Sequence, residues 1–118
     1  MTIHNSHETL DLVKSALEDM KSQDLLELNV KDITIVTDYM VIVSGTSTQH
    51  LRSIVNHVHT QAKQKGVEVL GSEGVESAEW ILLDLGDVIV HAMLPEIRER
   101  YELEKLWSVE AFSEAACA

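Results

Sequence analysis

Apolar residues recur at helical spacing in two stretches of the chain, and a third, short helix follows the only proline. Residues 6–20 form the first predicted helix. The second follows a turn at residues 44–48 and ends at Gly66, which suits the left-handed position after a helix. Pro95 opens the third, where its missing N–H group costs no hydrogen bond. The pattern therefore predicts three helices.

Five shorter segments have the apolar patterns of strands. Residues 25–30 alternate as a half-buried strand does, whereas residues 39–43 are continuously apolar, which is typical of a central strand covered on both faces. A short strand is predicted at 67–70, and a hairpin is predicted from 79–84 and 87–94. The order α-β-β-α-β-β-β-α predicts a single α/β (α+β) domain, with a mixed, mainly five-stranded sheet flanked by helices.

The predicted hairpin has two different faces. A two-residue turn at Leu85 and Gly86 would place Trp80 directly opposite His91, and a bulge at Gly86 would shift this pairing. One face is almost wholly aliphatic, as a core requires. The other face mixes aromatic, apolar, acidic and imidazole side chains, namely Trp80, Leu82, Asp84, Asp87, Ile89, His91 and Met93. Such a mixture is typical of a protein-binding surface, but a helix covering this face, with His91 hydrogen-bonded in place, explains it equally well.

Charge limits the class of partner. Among 118 residues, 9 are Lys or Arg and 20 are Asp or Glu, which gives a net charge of -11. An acidic surface repels phosphate groups, so direct nucleic-acid binding is not expected. No Lys or Arg lies between Lys65 and Arg98, whereas seven acids do. This acidic stretch is either a solvated face or a docking surface for a basic protein.

Other sequence features indicate the cellular setting. No apolar run has the length of a membrane span, and the first residues lack the pattern of a signal peptide. Cys117 is the only cysteine, so the chain cannot form an internal disulfide. We therefore expect a cytoplasmic protein without membrane partners.

The turn of Gly45, Thr46 and Ser47 is a candidate anion-binding site, because free N–H groups between a strand and a helix can hold a phosphate. The same residues also suit helix capping, either as a capping box of Thr46 with Gln49 or through Ser47. No Asp-x-Asp pair and no P-loop lysine accompany the turn. Capping is the favoured interpretation.

Neither the histidines nor the hydroxyl groups predict a catalytic or metal site. His57 and His59 are two residues apart on a predicted helix and point to different sides. His50 shares a face with His57 but lies about two turns away. The chain also lacks a local signature of a nucleophilic triad. We expect no metal, no cofactor and no enzymatic activity.

Four motifs together resemble the signatures of the ribosomal silencing factor (Iojap) family. They extend in order from about Leu10 to Ser108. The first is Thr37-Asp38-Tyr39-Met40-Val41-Ile42, continuing to Ser44-Gly45-Thr46-Ser47 and His50. The second is Gly71, Glu73, Gly74 and Trp80. The third is residues 84–91, and the fourth is residues 101–107.

The resemblance implies a nucleotidyltransferase-like fold without the catalytic acids, formed by residues 1–108. Residues 109–118 are alanine-rich and are expected to form a frayed tail. The resemblance also implies binding to the large ribosomal subunit through ribosomal protein L-fourteen. It assigns Trp80 and Tyr101 to the contact surface.

Occupation of that site would block association with the small subunit and repress translation when nutrients are scarce or growth has stopped. A homodimer is a further expectation. Two alternatives stay open. One is a nucleotide-binding relic that uses Gly45, Thr46 and Ser47, and the other is a homodimeric adaptor without a ribosomal role.

Overall fold

The computed structural model describes residues 6–101, and it contains the predicted elements in the predicted order. The helices are α1 (Ser6–Asp19), α2 (Thr48–Gln64) and α3 (Pro95–Tyr101). The strands are β1 (Gln23–Asn29), β2 (Tyr39–Ser44), β3 (Gly71–Glu73), β4 (Trp80–Asp84) and β5 (Val88–Met93). The predicted boundary at residue 108 and the predicted frayed tail lie outside the described residues.

The five strands form one mixed sheet in the order β1-β2-β5-β4-β3. Strands β2 and β5 are parallel, and the other neighbours are antiparallel. Every residue of β2 and β5 is buried, which confirms the prediction that residues 39–43 form a central strand covered on both faces. The single domain with a mixed five-stranded sheet and flanking helices is confirmed. The nucleotidyltransferase-like topology stays a prediction.

Helices α1 and α2 cover one face of the sheet, which we call the helical face. Alternate strand residues from this face enter the main core, including Val41, Val43, Ile81, Leu83 and Val90. The apolar stripe of α2 packs against them. Gly66 ends the helix with a φ of 77°, as its position predicted. The helical face therefore carries the larger core, which is mainly aliphatic.

The opposite face, which we call the mixed face, has a smaller core. Val30, Met40, Ile42 and Met93 are buried there, and half-buried apolar side chains pack around them. These surrounding side chains are Leu26, Leu28, Ile33, Trp80 and Ile97. Since Ile97 belongs to α3, this short helix covers part of the face.

The predicted hairpin register is wrong by two residues. Trp80 pairs with Met93, and Leu82 pairs with His91. The Leu85 N–H donates to the Val88 carbonyl at 2.9 Å, so the turn lies at Gly86 and Asp87. Leu85 is buried in the main core and therefore belongs to the strand, which moves the turn one residue along the chain. A shift of two keeps the side chains of the paired strand residues on their predicted faces.

Two other local predictions are also wrong. The short strand lies at Gly71–Glu73 rather than at 67–70, and it pairs with the end of β4. Asp87 does not stand beside Asp84 on the mixed face. It lies exposed in the turn, and its carbonyl accepts hydrogen bonds from the N–H groups of Asp38 and Tyr39. Asp87 therefore joins the start of β5 to the start of β2, at the end of the sheet opposite Trp80.

Candidate aromatic docking surface

Three of the predicted site residues form a contact chain on the mixed face. The indole Nε1–H of Trp80 donates to Nδ1 of His91 at 2.9 Å, along a diagonal between the two strands. The Tyr101 ring lies on the other side of Trp80, with 5.1 Å between the ring centroids and a tilt of 48°. His91 is 5% exposed, Trp80 is half-buried and Tyr101 is 56% exposed. These three contacting side chains therefore form a continuous path from the buried strand β5 to the surface.

The hydrogen bond fixes the protonation state of His91. An indole N–H can only donate, so Nδ1 must be the acceptor and the ring must be neutral. Burial lowers the pKa of His91 to about 4 from an ordinary value of 6.5, because the charged ring would lose its hydration. A neutral imidazole holds the indole plane in one orientation. Trp80 therefore has a fixed orientation before any partner binds.

The turn before β4 sets the backbone of Trp80. Gly74 has a φ of 80°, and a Cβ at this position would lie 2.2 Å from the Trp80 carbonyl oxygen. Only glycine fits this close approach. From α2, the Arg52 guanidinium donates to the carbonyls of Val75 and Glu76 at 3.1 and 2.6 Å. Sequence reasoning did not single out Arg52, because it contacts main-chain groups more than twenty residues away.

Helix α3 sets the position of Tyr101. Ile97 packs into the smaller core, and it precedes Tyr101 by four residues, so both side chains lie on one side of the helix. Arg98 donates through Nη1 to the Asp24 carbonyl at 2.6 Å and to the Ser44 hydroxyl oxygen at 3.1 Å. The spacing of Ile97 and Tyr101 was the only sequence signal for this arrangement.

The predicted contact residues divide into a surface group and a supporting group. Met93 is fully buried, and Ile89 is 8% exposed. His91 also lies beneath the surface. These three residues were predicted as direct contacts, but they are too buried for that and instead support the surface. Leu82 and Asp84 are half-buried. Asp84 also accepts the Gly86 N–H at 2.8 Å, which stabilises the hairpin turn. Trp80 and Tyr101 remain as the aromatic surface.

The candidate anion-binding turn is occupied by its own hydrogen bonds. The Gly45 N–H donates to the Met93 carbonyl, and the Thr46 N–H donates to Nδ1 of His50 at 2.9 Å. Ser47 caps α2 by accepting the His50 N–H, so Ser47, and not the capping box of Thr46, is the cap. A Cβ on Gly45 would lie 2.6 Å from Leu51, so close packing explains this glycine. The geometry supports helix capping rather than phosphate binding.

His50 joins this turn to Met20, the residue that follows α1. Because Nδ1 accepts from Thr46, Nε2 carries the proton and donates to the Met20 carbonyl at 2.8 Å. His57 contacts Asp19 at 3.1 Å. Within residues 6–101, no group of three or more His, Cys, Asp or Glu side chains could hold a metal ion. In the same range no helix combines the length and apolarity that crossing a membrane requires.

Comparison with known proteins identifies relatives along most of the chain. The family model described as "ribosomal silencing factor during starvation" matches residues 3–116. A ribosomal silencing factor of Chromobacterium violaceum is 42% identical over 100 residues, covering 85% of this chain and 82% of that protein. The mouse protein named for mitochondrial assembly of the ribosomal large subunit is 36% identical over 108 residues, covering 89% of this chain and 47% of its own.

The fold is found in a solved structure as well. A crystal structure of a Chromobacterium violaceum protein matches with a TM-score of 0.86 at 40% identity. The match covers 88% of this chain and 87% of that one. Fold and sequence therefore agree on the same relatives.

Proposed function

The chain belongs to the family of ribosomal silencing factors, and from this premise we propose that it binds the large ribosomal subunit and prevents the small subunit from joining it. In this proposal the partner is ribosomal protein L-fourteen, and the result is repression of translation under nutrient limitation. The protein acts by occupying a surface and not by catalysis.

The pair of Trp80 and Tyr101 is the observation that supports a docking surface. Aromatic side chains that are partly exposed and rigidly held contribute much of the energy in protein interfaces, because little conformational freedom is lost when they bind. Here the indole is fixed by His91, and the phenol ring rests on the indole. The names of the relatives point to a ribosomal partner for such a surface.

Charge supports a basic protein as the direct contact. The chain carries a net charge of -11, so a protein surface rich in Lys and Arg would be attracted to it. Glu73 pairs with Leu82 across β3 and β4, so its exposed side chain lies on the mixed face with the aromatic pair. Acidic groups around an aromatic centre are the arrangement expected for a basic partner.

Co-sedimentation with purified large subunits tests the proposal. The protein should pellet with large subunits and reduce the yield of joined ribosomes in proportion to the fraction of subunits occupied. Inhibition by amounts far below one molecule per subunit would contradict occlusion, because a blocking protein must remain bound. A variant carrying Tyr101→Ala is the matched control and should inhibit only at higher concentrations.

The two alternative functions predict different results in the same assays. A homodimeric adaptor would form dimers but would not pellet with the large subunit. A nucleotide-binding relic would bind nucleotide at micromolar concentrations and lose it on substitution of Thr46. The N–H groups of Gly45 and Thr46 already donate hydrogen bonds within the protein, which argues against binding of a nucleotide or a phosphate at this turn.

A further inference from the structure

We propose that Arg98 is a positioning residue that locks α3 onto the sheet and thereby holds Tyr101 against Trp80 in the binding-competent arrangement. This inference rests on the proposed function, since it names the residue that prepares the docking surface. It does not give Arg98 a contact with the partner.

Helix α3 needs such an anchor because it is intrinsically weak. It has seven residues and none of them is buried. Helices this short are unstable alone, since the cost of nucleation is shared by too few hydrogen bonds. Pro95 fixes its start, and Ile97 contributes one half-buried apolar contact. The position of Tyr101, at the last residue of the helix, therefore depends on tertiary contacts.

Arg98 and Tyr101 hold α3 from opposite sides of the strand that precedes it. In the sheet, β5 lies between β2 and β4. The Arg98 guanidinium reaches in one direction, to Ser44 at the end of β2 and to the Asp24 carbonyl on β1. Tyr101 reaches in the other direction, to Trp80 at the start of β4. Two attachments on opposite sides prevent the helix from rolling about its axis.

The backbone of β1 is shaped to receive Arg98. Between Gln23 and Leu26 the pairing with β2 gains one residue, which is a β-bulge. Asp24 lies in this bulge with a φ of 51°, in the left-handed region that residues other than glycine rarely adopt. A carbonyl in a bulge is released from regular pairing, and the Asp24 carbonyl accepts from Arg98 at 2.6 Å. Unusual backbone conformations are often retained where they serve function.

Loss of the anchor would lower the affinity by reducing the fraction of molecules with α3 docked. The apparent dissociation constant rises in inverse proportion to this fraction. Hydrogen bonds from a charged donor are strong enough that losing them should change the docking equilibrium about tenfold. Arg98→Met should therefore weaken large-subunit binding by up to about tenfold, mainly by slowing association, since fewer molecules are ready to bind.

Arg100→Met provides the matched control. Arg100 is exposed on the same helix, and its substitution changes the net charge and helix propensity in the same way. It should leave the affinity within about twofold of wild type, as is usual for substitutions at exposed surface positions. Arg98→Lys keeps the charge but loses the planar fork of donors, so it should give an intermediate affinity. Asp24→Asn should have little effect, because the contact is to the main-chain carbonyl.

Tryptophan fluorescence measures the anchor without the ribosome. In the full chain with Trp107→Phe, Trp80 is the only tryptophan. Acrylamide quenching of Trp80 in Tyr101→Ala defines the signal of an uncovered indole. In the Trp107→Phe background, Arg98→Met should approach that signal. Arg100→Met should give the same quenching as the Trp107→Phe protein with both arginines intact. Circular dichroism establishes that each variant is folded, and Arg98→Lys supplies the comparison if Arg98→Met does not fold.

The two readouts separate failure of this inference from failure of the proposed function. If Arg98→Met quenches and binds like Arg100→Met while Tyr101→Ala loses affinity, the anchor is overturned and the docking surface stands. If no variant and no wild-type protein binds the large subunit, the proposed function fails. In that case quenching alone decides whether Arg98 positions Tyr101.

Discussion

The two faces of the sheet use similar strand residues for different purposes. On the helical face, α1 and α2 cover the strands with aliphatic side chains, and the strand residues there are fully buried or nearly so. On the mixed face, a smaller cluster is covered in part by α3, and an indole, an imidazole and a phenol ring extend from it to the surface. The same hairpin contributes alternate residues to both faces.

The difference shows how a small domain separates stability from recognition. Apolar burial on the helical face is large and does not depend on a particular hydrogen bond. The mixed face instead depends on specific contacts, such as the bond between Trp80 and His91, and these fix the direction of each ring. Changes on the helical face should therefore alter unfolding, whereas changes at the edge of the mixed face should alter binding.

The largest effect is expected for Leu83→Ala on the helical face. Leu83 is fully buried, and truncation of a buried leucine costs about 2–5 kcal/mol of unfolding free energy because it leaves a cavity. Leu82→Ala, the neighbouring residue on the mixed face, is the matched control and should cost less than half as much, because Leu82 is only half-buried. Urea denaturation measures both. Equal losses would remove the distinction between the faces.

Much of this comparison could be predicted from the sequence, because side-chain periodicity determines which residues share a face. The order of elements, the buried central strand and, apart from Asp87, the composition of both hairpin faces follow from it. The register was not predictable in this way, since both Leu85-Gly86 and Gly86-Asp87 are plausible turns. Burial of Leu85 decides between them, and that burial depends on the packed helices.

The partial covering of the mixed face by α3 could also not be predicted from the sequence pattern. It depends on Arg98 meeting a carbonyl 74 residues earlier in the chain, at a bulge without a glycine to mark it. Sequence reasoning left open whether the mixed face bound a partner or was covered by a helix. The structure shows partial covering, so that Met93 and His91 are buried while Tyr101 stays exposed.

The next largest effect concerns the stability of the mixed face in acid. His91 has a pKa of about 4 in the folded protein and 6.5 as its ordinary value. Between these values the unfolded chain binds a proton that the folded chain does not, so stability falls as the pH falls through this range. The shift corresponds to roughly 3 kcal/mol at its full extent. Above pH 6.5 this residue makes no pH-dependent contribution.

His91→Asn isolates this contribution. The amide oxygen of asparagine can still accept the Trp80 N–H, and the amide does not titrate. The difference in unfolding free energy between wild type and variant should therefore change steadily from pH 6.5 to about 4 and be constant above that range. Replacement of exposed His59 by asparagine serves as the control. Parallel stability curves for wild type and His91→Asn would show that folding does not lower the pKa of His91.

A smaller change in free energy is expected for binding when the aromatic pair is truncated. Tyr101→Ala should cost about 2 kcal/mol of binding, or about thirtyfold in affinity, while the melting temperature stays close to wild type. Trp80→Ala should weaken binding as much but should also destabilise the fold by about 1–3 kcal/mol, because Nδ1 of buried His91 loses its donor. Calorimetry of the proteins and sedimentation with large subunits measure the two effects separately. Full affinity in Tyr101→Ala would remove the mixed face from the binding surface.

The smallest effect should come from removing acidic charges, and it concerns the rate of association with the large subunit. The experiment tests whether acids on the two sides of the molecule contribute equally to this rate. Raising salt from roughly 50 to 500 mM shortens the Debye length about threefold and should slow association more than it speeds dissociation. Substitution by glutamine of Glu73, on the mixed face, and Glu96, on the helix that covers part of this face, should reduce the association rate several-fold at low salt. Asp11→Asn with Glu18→Gln removes the same charge from α1 and should have less effect, since these exposed side chains belong to the layer that covers the helical face. Stopped-flow measurement of association with large subunits distinguishes the pairs. Equal slowing by both would mean that only net charge matters, and the mixed face would then have no steering role of its own.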